Sequence, residues 1–220
     1  MEQARTWIAQ GQEKEAIRLL NTIEQPTWQK DALLGDAFSL LGEFSEAKSA
    51  YTTALFRADV PPESLFVDLA GLIQQDESDD EALVQVWEKY LARYPKGYAA
   101  PRALLALGQA QQRAENWTAA QEHYMQVLTQ YPQSSESDVA FKHIGRHFID
   151  SGLWREAQAF FSKPREQSSY RKEAAMVGLI RVSIGQNDVS AAEAMLTHYA
   201  EQFPNGVLKG DVVRLREALQ

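Results

Sequence analysis

The stretch 104-LLALGQAQQRAENWTAAQEHYMQVLTQYPQS-134 decides the fold. Leu104-x-x-Leu107-Gly108 is followed by Ala120, 12 residues after the glycine, and by Tyr124, four further on. A glycine within a helix costs about 1 kcal/mol relative to alanine, so its use here requires a packing reason. Glycine and a distant alanine allow two antiparallel helices to approach closely, and the aromatic fills the space beside them. Glu115-Asn116-Trp117 has the length of a tight helix–helix turn. Pro132 ends the second helix, because it lacks a donor and clashes with the preceding turn.

The same phrase recurs along the chain. Asp31-x-x-Leu34-Gly35-x-x-Phe38 precedes Ala47-x-x-x-Tyr51, and Phe141-x-x-Ile144-Gly145-x-x-Phe148 precedes Ala157-x-x-x-Phe161. Weaker copies run from Gly71 to Leu83 and Trp87, and from Ile180 to Ala192 and Leu196. The glycine markers 35, 71, 108 and 145 are spaced 36, 37 and 37 residues apart. Pro95, Pro132 and Pro204 each fall 24 residues after Gly71, Gly108 and Ile180. The pattern predicts paired helices over 4–10 with 13–24, 28–41 with 44–58, 64–75 with 80–94, 100–114 with 117–130, 137–151 with 154–163 and 170–184 with 189–203. A last helix is expected over 208–219, with Leu208, Val212, Leu215 and Leu219 on one apolar stripe, as a capping helix requires. Gly11 and Ala16 match the second half of a repeat, so 1–25 is read as a partial first hairpin, abbreviated or cut from a larger protein.

This phased recurrence resembles the tetratricopeptide repeat family, over nearly the whole chain. The resemblance implies an all-α fold, a right-handed α-solenoid of about five to six helical hairpins with a C-terminal capping helix. It is expected as one domain over 1–220, with repeats at 28–58, 64–94, 100–130, 137–163 and 170–203 and the cap at 208–219. The period of 36–37 departs from the family's usual 34. The endings Tyr94-Pro95-Lys96-Gly97, Tyr131-Pro132-Gln133-Ser134 and Phe203-Pro204-Asn205-Gly206 resemble those of bacterial cell-envelope repeat proteins, the outer-membrane-assembly lipoproteins and the periplasmic partner of the Tol–Pal system. That narrower resemblance implies a periplasmic or envelope scaffold in a Gram-negative bacterium, with a cytoplasmic location left open.

Composition narrows the function. The 220 residues carry a net charge of −8, which argues against a nucleic-acid partner. No apolar run approaches the roughly 18 residues a membrane span needs, so direct membrane insertion is not expected. There is no cysteine, hence no disulfide, thiolate nucleophile or cysteine-ligated zinc.

Few constellations suggest chemistry. His143 and His147 stand at i and i+4, a spacing that can hold zinc, but Ile144 stands where a metalloprotease motif has its glutamate, and they read as packing or surface histidines. Asp76-Glu77-Ser78-Asp79-Asp80-Glu81 lacks the glycine and spacing of a calcium loop and reads as a solvated turn. Trp87, Trp117 and Trp154, with Tyr51, Tyr124 and Phe161, have the phase of core residues. No Gly-rich phosphate loop or nucleophile elbow is present. Neither a catalytic residue, nor a metal site, nor a cofactor is expected.

In this family the first helix of each hairpin lines a concave groove that receives peptides or helices. Helical spacing places Gln29, Ala32, Asp36 and Ser39 there, then Leu65, Asp68, Leu72 and Gln75, and from the last of these hairpins Lys172 and Val182. Between them lie the candidate binding residues: Arg102, Leu105, Gln109, Gln112 and Arg113 from one hairpin, and Lys142, Arg146 and Ile149 from the next. The early groove is neutral to acidic and the later groove basic. The expected function is a non-enzymatic scaffold for a protein or peptide partner, an acidic segment docking on these cations. The alternative is a sensory or regulatory module of a larger multidomain protein. The lysine/asparagine clamp of chaperone-binding members is not implied, because these positions carry no asparagine. Apolar surface at the N-terminal end leaves homodimerisation open.

Overall fold

The computed structural model describes residues 1–75, 80–163 and 168–219. They form thirteen helices and no strand. In chain order these are α1 Glu2–Ala9, α2 Glu13–Asn21, α3 Trp28–Leu40, α4 Phe44–Arg57, α5 Glu63–Ile73, α6 Asp80–Arg93, α7 Ala100–Arg113, α8 Trp117–Gln130, α9 Ser135–Asp150, α10 Trp154–Phe161, α11 Ser169–Gly185, α12 Val189–Gln202 and α13 Lys209–Glu217. The chain divides into two compact units, Met1–Ala106 and Leu107–Gln220. The acidic stretch 76–79 lies outside the described residues, and Asp80 and Glu81 form the first turn of α6.

Each described turn within a hairpin is built alike. Gly11, Gly42, Glu115, Gly152 and Asn187 adopt φ between 58° and 77°. The next residue's N–H bonds the carbonyl five residues back at 2.8–2.9 Å, from Gln12 to Trp7, Glu43 to Phe38, Asn116 to Gln111, Leu153 to Phe148 and Asp188 to Ser183. This is a Schellman ending, which satisfies carbonyls that the helix end would orphan. The residue after the left-handed one then opens the second helix; Asp188, for example, caps the Ala191 N–H at 3.0 Å. Thr27, Ser134 and Ser168 cap first helices in the same way.

Within the first unit, the Tyr51 ring lies against Gly35, where a Cβ would stand 2.6 Å from it. Within the second, Tyr124 lies against Gly108 and Phe161 against Gly145, with the added Cβ at 2.5 and 2.6 Å. Ala47, Ala120 and Ala157 have no exposed surface. The Gly71 copy is different. An added Cβ there meets nothing within 4 Å, because Trp87 does not lie on that glycine but sits fully buried, edge-on to Tyr90 at 5.6 Å. Two further glycines, Gly178 and Gly185, press on Phe161 and Trp154.

Polar clasps tie the first helices α5 and α11 to the start of a following one. In the first unit Tyr90 Oη donates to Glu63 Oε2 at 2.5 Å, and Glu63 also accepts the Tyr98 N–H at 3.0 Å. In the second, Tyr199 donates to Glu173 at 2.5 Å, and Glu173 takes the N–H groups of Val207 and Leu208 at 3.1 and 2.7 Å. Gly97 and Gly206 lie where any side chain would strike these groups, which explains the glycine after Tyr/Phe-Pro-x. Arg171, 1% exposed, acts with opposite polarity: it donates to the Pro132 carbonyl and to Ser137 Oγ, and its Nε faces Asp138 at 2.9 Å.

Gly35→Ala is expected to lower stability by about 1–3 kcal/mol, through overpacking against Tyr51. Gly71→Ala should raise it by about 0.5–1 kcal/mol, through helix propensity alone. Urea unfolding midpoints of both variants check this, and equal signs would refute the packing account. Glu115→Gly should raise stability as well, by roughly 0.5–1 kcal/mol, because it relieves a left-handed non-glycine residue. The same titration reads it, and a lowered midpoint would refute it.

Candidate functional site

On α9, Lys142, Arg146 and Ile149 recur at i, i+4 and i+7 and so share one face. On α11, Tyr170, Ala174, Val177 and Arg181 do the same. With Leu208 and Asp211 at the start of α13 they line a crevice of about 380 Å³ within the second unit. Its floor includes Gly145, Phe161 and Gly178. Arg146 Nε donates to Asp150 Oδ2 at 3.1 Å in a pair whose side chains are 73% and 62% exposed, so it contributes little to stability. Asp211 pairs with Arg214. No side-chain hydrogen bond or ion pair joins Lys142 or Arg181 to another described residue.

The sequence-predicted residues distribute unevenly. Lys142, Arg146 and Ile149 meet in this crevice. Gln109 and Gln112 instead hold His143: Gln112 Oε1 lies 2.9 Å from His143 Nδ1 and also accepts the Tyr124 hydroxyl at 2.8 Å, while Gln109 Nε2 lies 3.5 Å from His143 Nε2. This network assigns the proton to Nδ1. Arg113 is close enough to Tyr124 to act on its ionisation. Arg102 and Leu105 belong to the first unit, where Arg102 donates to Gln74 Oε1 at 2.8 Å and its guanidinium stands 5.8 Å from the centre of the Trp87 ring.

Three projections are corrected. Val182 is 2% exposed, and Leu65 and Leu72 are 2% and 7% exposed, so all three are core residues and not groove residues. On α11 the exposed groove position is Arg181, and the buried Val177 lies in the crevice wall beneath it. The signal was present: Lys142 and Arg146 lie three before and one after the marker Gly145, and those offsets from Ile180 lead to Val177 and Arg181. In the first unit, Asp36 accepts the Tyr51 hydroxyl at 2.6 Å, and burial raises its pKa. Asp68 is raised by burial and by the charge of Asp36.

The two histidines are stacked. His143 lies on Tyr124 with centroids 5.1 Å apart, and His147 on Trp117 at 3.6 Å. Trp117 and Trp154 are half-buried at the turns, unlike the fully buried Trp87. No group of three or more His, Asp or Glu able to hold a metal occurs among the described residues. No described helix is long and apolar enough to cross a membrane.

Helical hairpins in tandem, turned on themselves by Schellman endings and in three cases packed ring on glycine, define a tetratricopeptide-type fold. Residues 102–134 match the family described as tetratricopeptide repeat. The fold is similar to that of a tetratricopeptide repeat protein from Parabacteroides merdae, with a TM-score of 0.56 and 16% identity over 98% of this chain and 85% of that one. It is also similar to PilF of Pseudomonas aeruginosa, with a TM-score of 0.52 and 15% identity over 93% and 90% of the two chains. A third structure, PilW, a widely conserved type IV pilus biogenesis factor, superposes with a TM-score of 0.53 and 14% identity over 96% of each chain. No curated protein sequence matches the chain. The fold is one that generally serves as a protein–protein interaction scaffold.

Burial, helped by the neighbouring charges of Lys142 and Arg146, holds His143 below its ordinary pKa of 6.5. Below about pH 6.5 the unfolded chain therefore binds a proton that the folded chain resists, and stability falls as pH drops. His143→Gln should show a smaller loss of urea midpoint between pH 7 and 5.5 than the parent. Identical losses would remove His143 from the acid response.

Proposed function

We propose that the protein is a non-enzymatic scaffold that holds a partner protein by an acidic peptide or helical segment laid along α9 and α11. The observation that carries this reading is the gathering of Lys142, Arg146 and Arg181 beside Ile149 in one crevice, on a chain of net charge −8. Cations grouped against the sign of the whole chain steer an acidic ligand to that place and orient it by charge-assisted hydrogen bonds. The apolar wall supplies contact that charge alone does not. A place in a bacterial envelope complex fits the Tyr-Pro-x-Gly/Ser-type hairpin endings and the likeness of fold to PilW, a type IV pilus biogenesis factor.

The test is capture of partners from lysate on the parent protein and on Lys142→Glu/Arg146→Glu, followed by titration of the captured partner. The double reversal should weaken binding by roughly tenfold or more, and raised salt should weaken binding to the parent. A partner that binds both forms equally would exclude the α9–α11 face.

A further inference from the structure

We infer that the crevice between α9 and α11 is an anchor slot for one bulky apolar side chain, phenylalanine or leucine, carried on the acidic segment of the partner; this rests on the reading of that face as the binding surface.

The argument begins with what forms the floor. Phe161 is pressed between the bare backbones of Gly145 on α9 and Gly178 on α11, each of which would collide with its ring if it carried a Cβ. The ring keeps 8% of its surface exposed, and all three residues line the crevice. Phe141 of α9 stands edge-on to the ring at 5.8 Å and lines the same crevice.

The floor is also apolar, by a change of one atom. In two other hairpins the equivalent aromatic is a tyrosine whose hydroxyl runs outward to a polar residue of the first helix: Tyr51 to Asp36 at 2.6 Å and Tyr124 to Gln112 at 2.8 Å. Phe161 has no hydroxyl, so no such pair forms at the base here. The walls continue the character with Ile149, Ala174, Val177 and Leu208. Polar groups stand at the rim: Lys142, Arg146 and Arg181 are exposed there, and of the two carboxylates that share the lining Asp150 is paired with Arg146 and Asp211 with Arg214. A volume of about 380 Å³ lies in the range of ligand-sized pockets, ~300–1,000 Å³.

Apolar base and cationic rim specify one occupant chemistry: an apolar side chain with carboxylates on either side of it. Rim ion pairs in water are weak, so most discrimination falls to the buried side chain. Replacing that side chain by alanine should cost roughly tenfold or more in Kd.

The experiment titrates the ¹⁵N-labelled chain with three acetylated pentapeptides: Glu-Asp-Phe-Asp-Glu, Glu-Asp-Ala-Asp-Glu and Lys-Lys-Phe-Lys-Lys. The expected result is that the first shifts the amides of Gly145 and Gly178 and binds about tenfold tighter than the second. Ala174→Trp, which fills the slot from a half-buried position, should abolish that difference, and Arg181→Glu should weaken both acidic peptides. Should the Trp variant misfold by circular dichroism, Ile149→Ser should reduce the same difference. Equal binding of the two acidic peptides at Arg146 and Arg181 overturns the anchor slot and leaves the cationic groove for acidic peptides standing. Equal binding of the lysine peptide, or no shift at these amides with any peptide, overturns both.

Discussion

An aromatic ring can lie flat on a helix backbone only where that helix has no Cβ, and this steric fact is what the hairpins depend on. Tyr51 on Gly35, Tyr124 on Gly108 and Phe161 on Gly145 set how closely two helices approach. The fully buried Ala47, Ala120 and Ala157 lie one helical turn before each ring and keep the facing surface equally shallow. The ring then has one remaining direction, outward between helices, and its para position decides what the outer face meets. A hydroxyl there makes the face polar through Asp36 or Gln112; a hydrogen leaves it apolar above Phe161. Core packing and surface chemistry are therefore set by the same residue.

The second constraint is polar. A helix that starts after a proline turn presents N–H groups with no intrahelical partner. Glu63, in the first turn of α5, and Glu173, just beyond the first turn of α11, meet these groups, each steadied by a tyrosine hydroxyl. Glu173 is 4% exposed, and a buried carboxylate is tolerable only because its lone pairs are filled in this way. Arg171 solves the mirror problem with donors, binding the Pro132 carbonyl and Ser137. These clasps fix the spacing of hairpins that the rings alone leave free to slide.

Legibility in the sequence follows the kind of constraint. Steric rules admit almost one residue type, so Gly35, Gly108 and Gly145 with their rings stand out at a fixed period. Gly71 shares the offset without the reason, since its ring partner is a tryptophan that packs elsewhere. Glu63 is hidden because an acid in a first turn is expected for the helix dipole alone, and Glu173 because a single acid beyond the first turn has no local pattern. Their signal was the paired occurrence, 34 and 33 residues before Gly97 and Gly206. Helical phase brings Lys142, Arg146 and Ile149 to one face, but on α11 Val182 is one residue out of register with Arg181, and the crevice floor, made by two helices and a ring from a third, has no local pattern to read.

The last helix shows the rule by departing from it. Counted from the preceding proline, Val213, Arg216 and Glu217 stand where α9 has Phe141, Ile144 and Gly145. The α9 residues are buried; all three on α13 are exposed. Glu217 carries a Cβ, so no ring can lie on that turn, and the outer face is given to water while Val212 closes the core inside. The same helix turns Leu208 and Asp211 toward α9 and α11, where they form part of the crevice wall. α13 thus does two things: it covers the apolar surface around Leu196 and Tyr199 through Val212, and it bounds the crevice through Leu208 and Asp211.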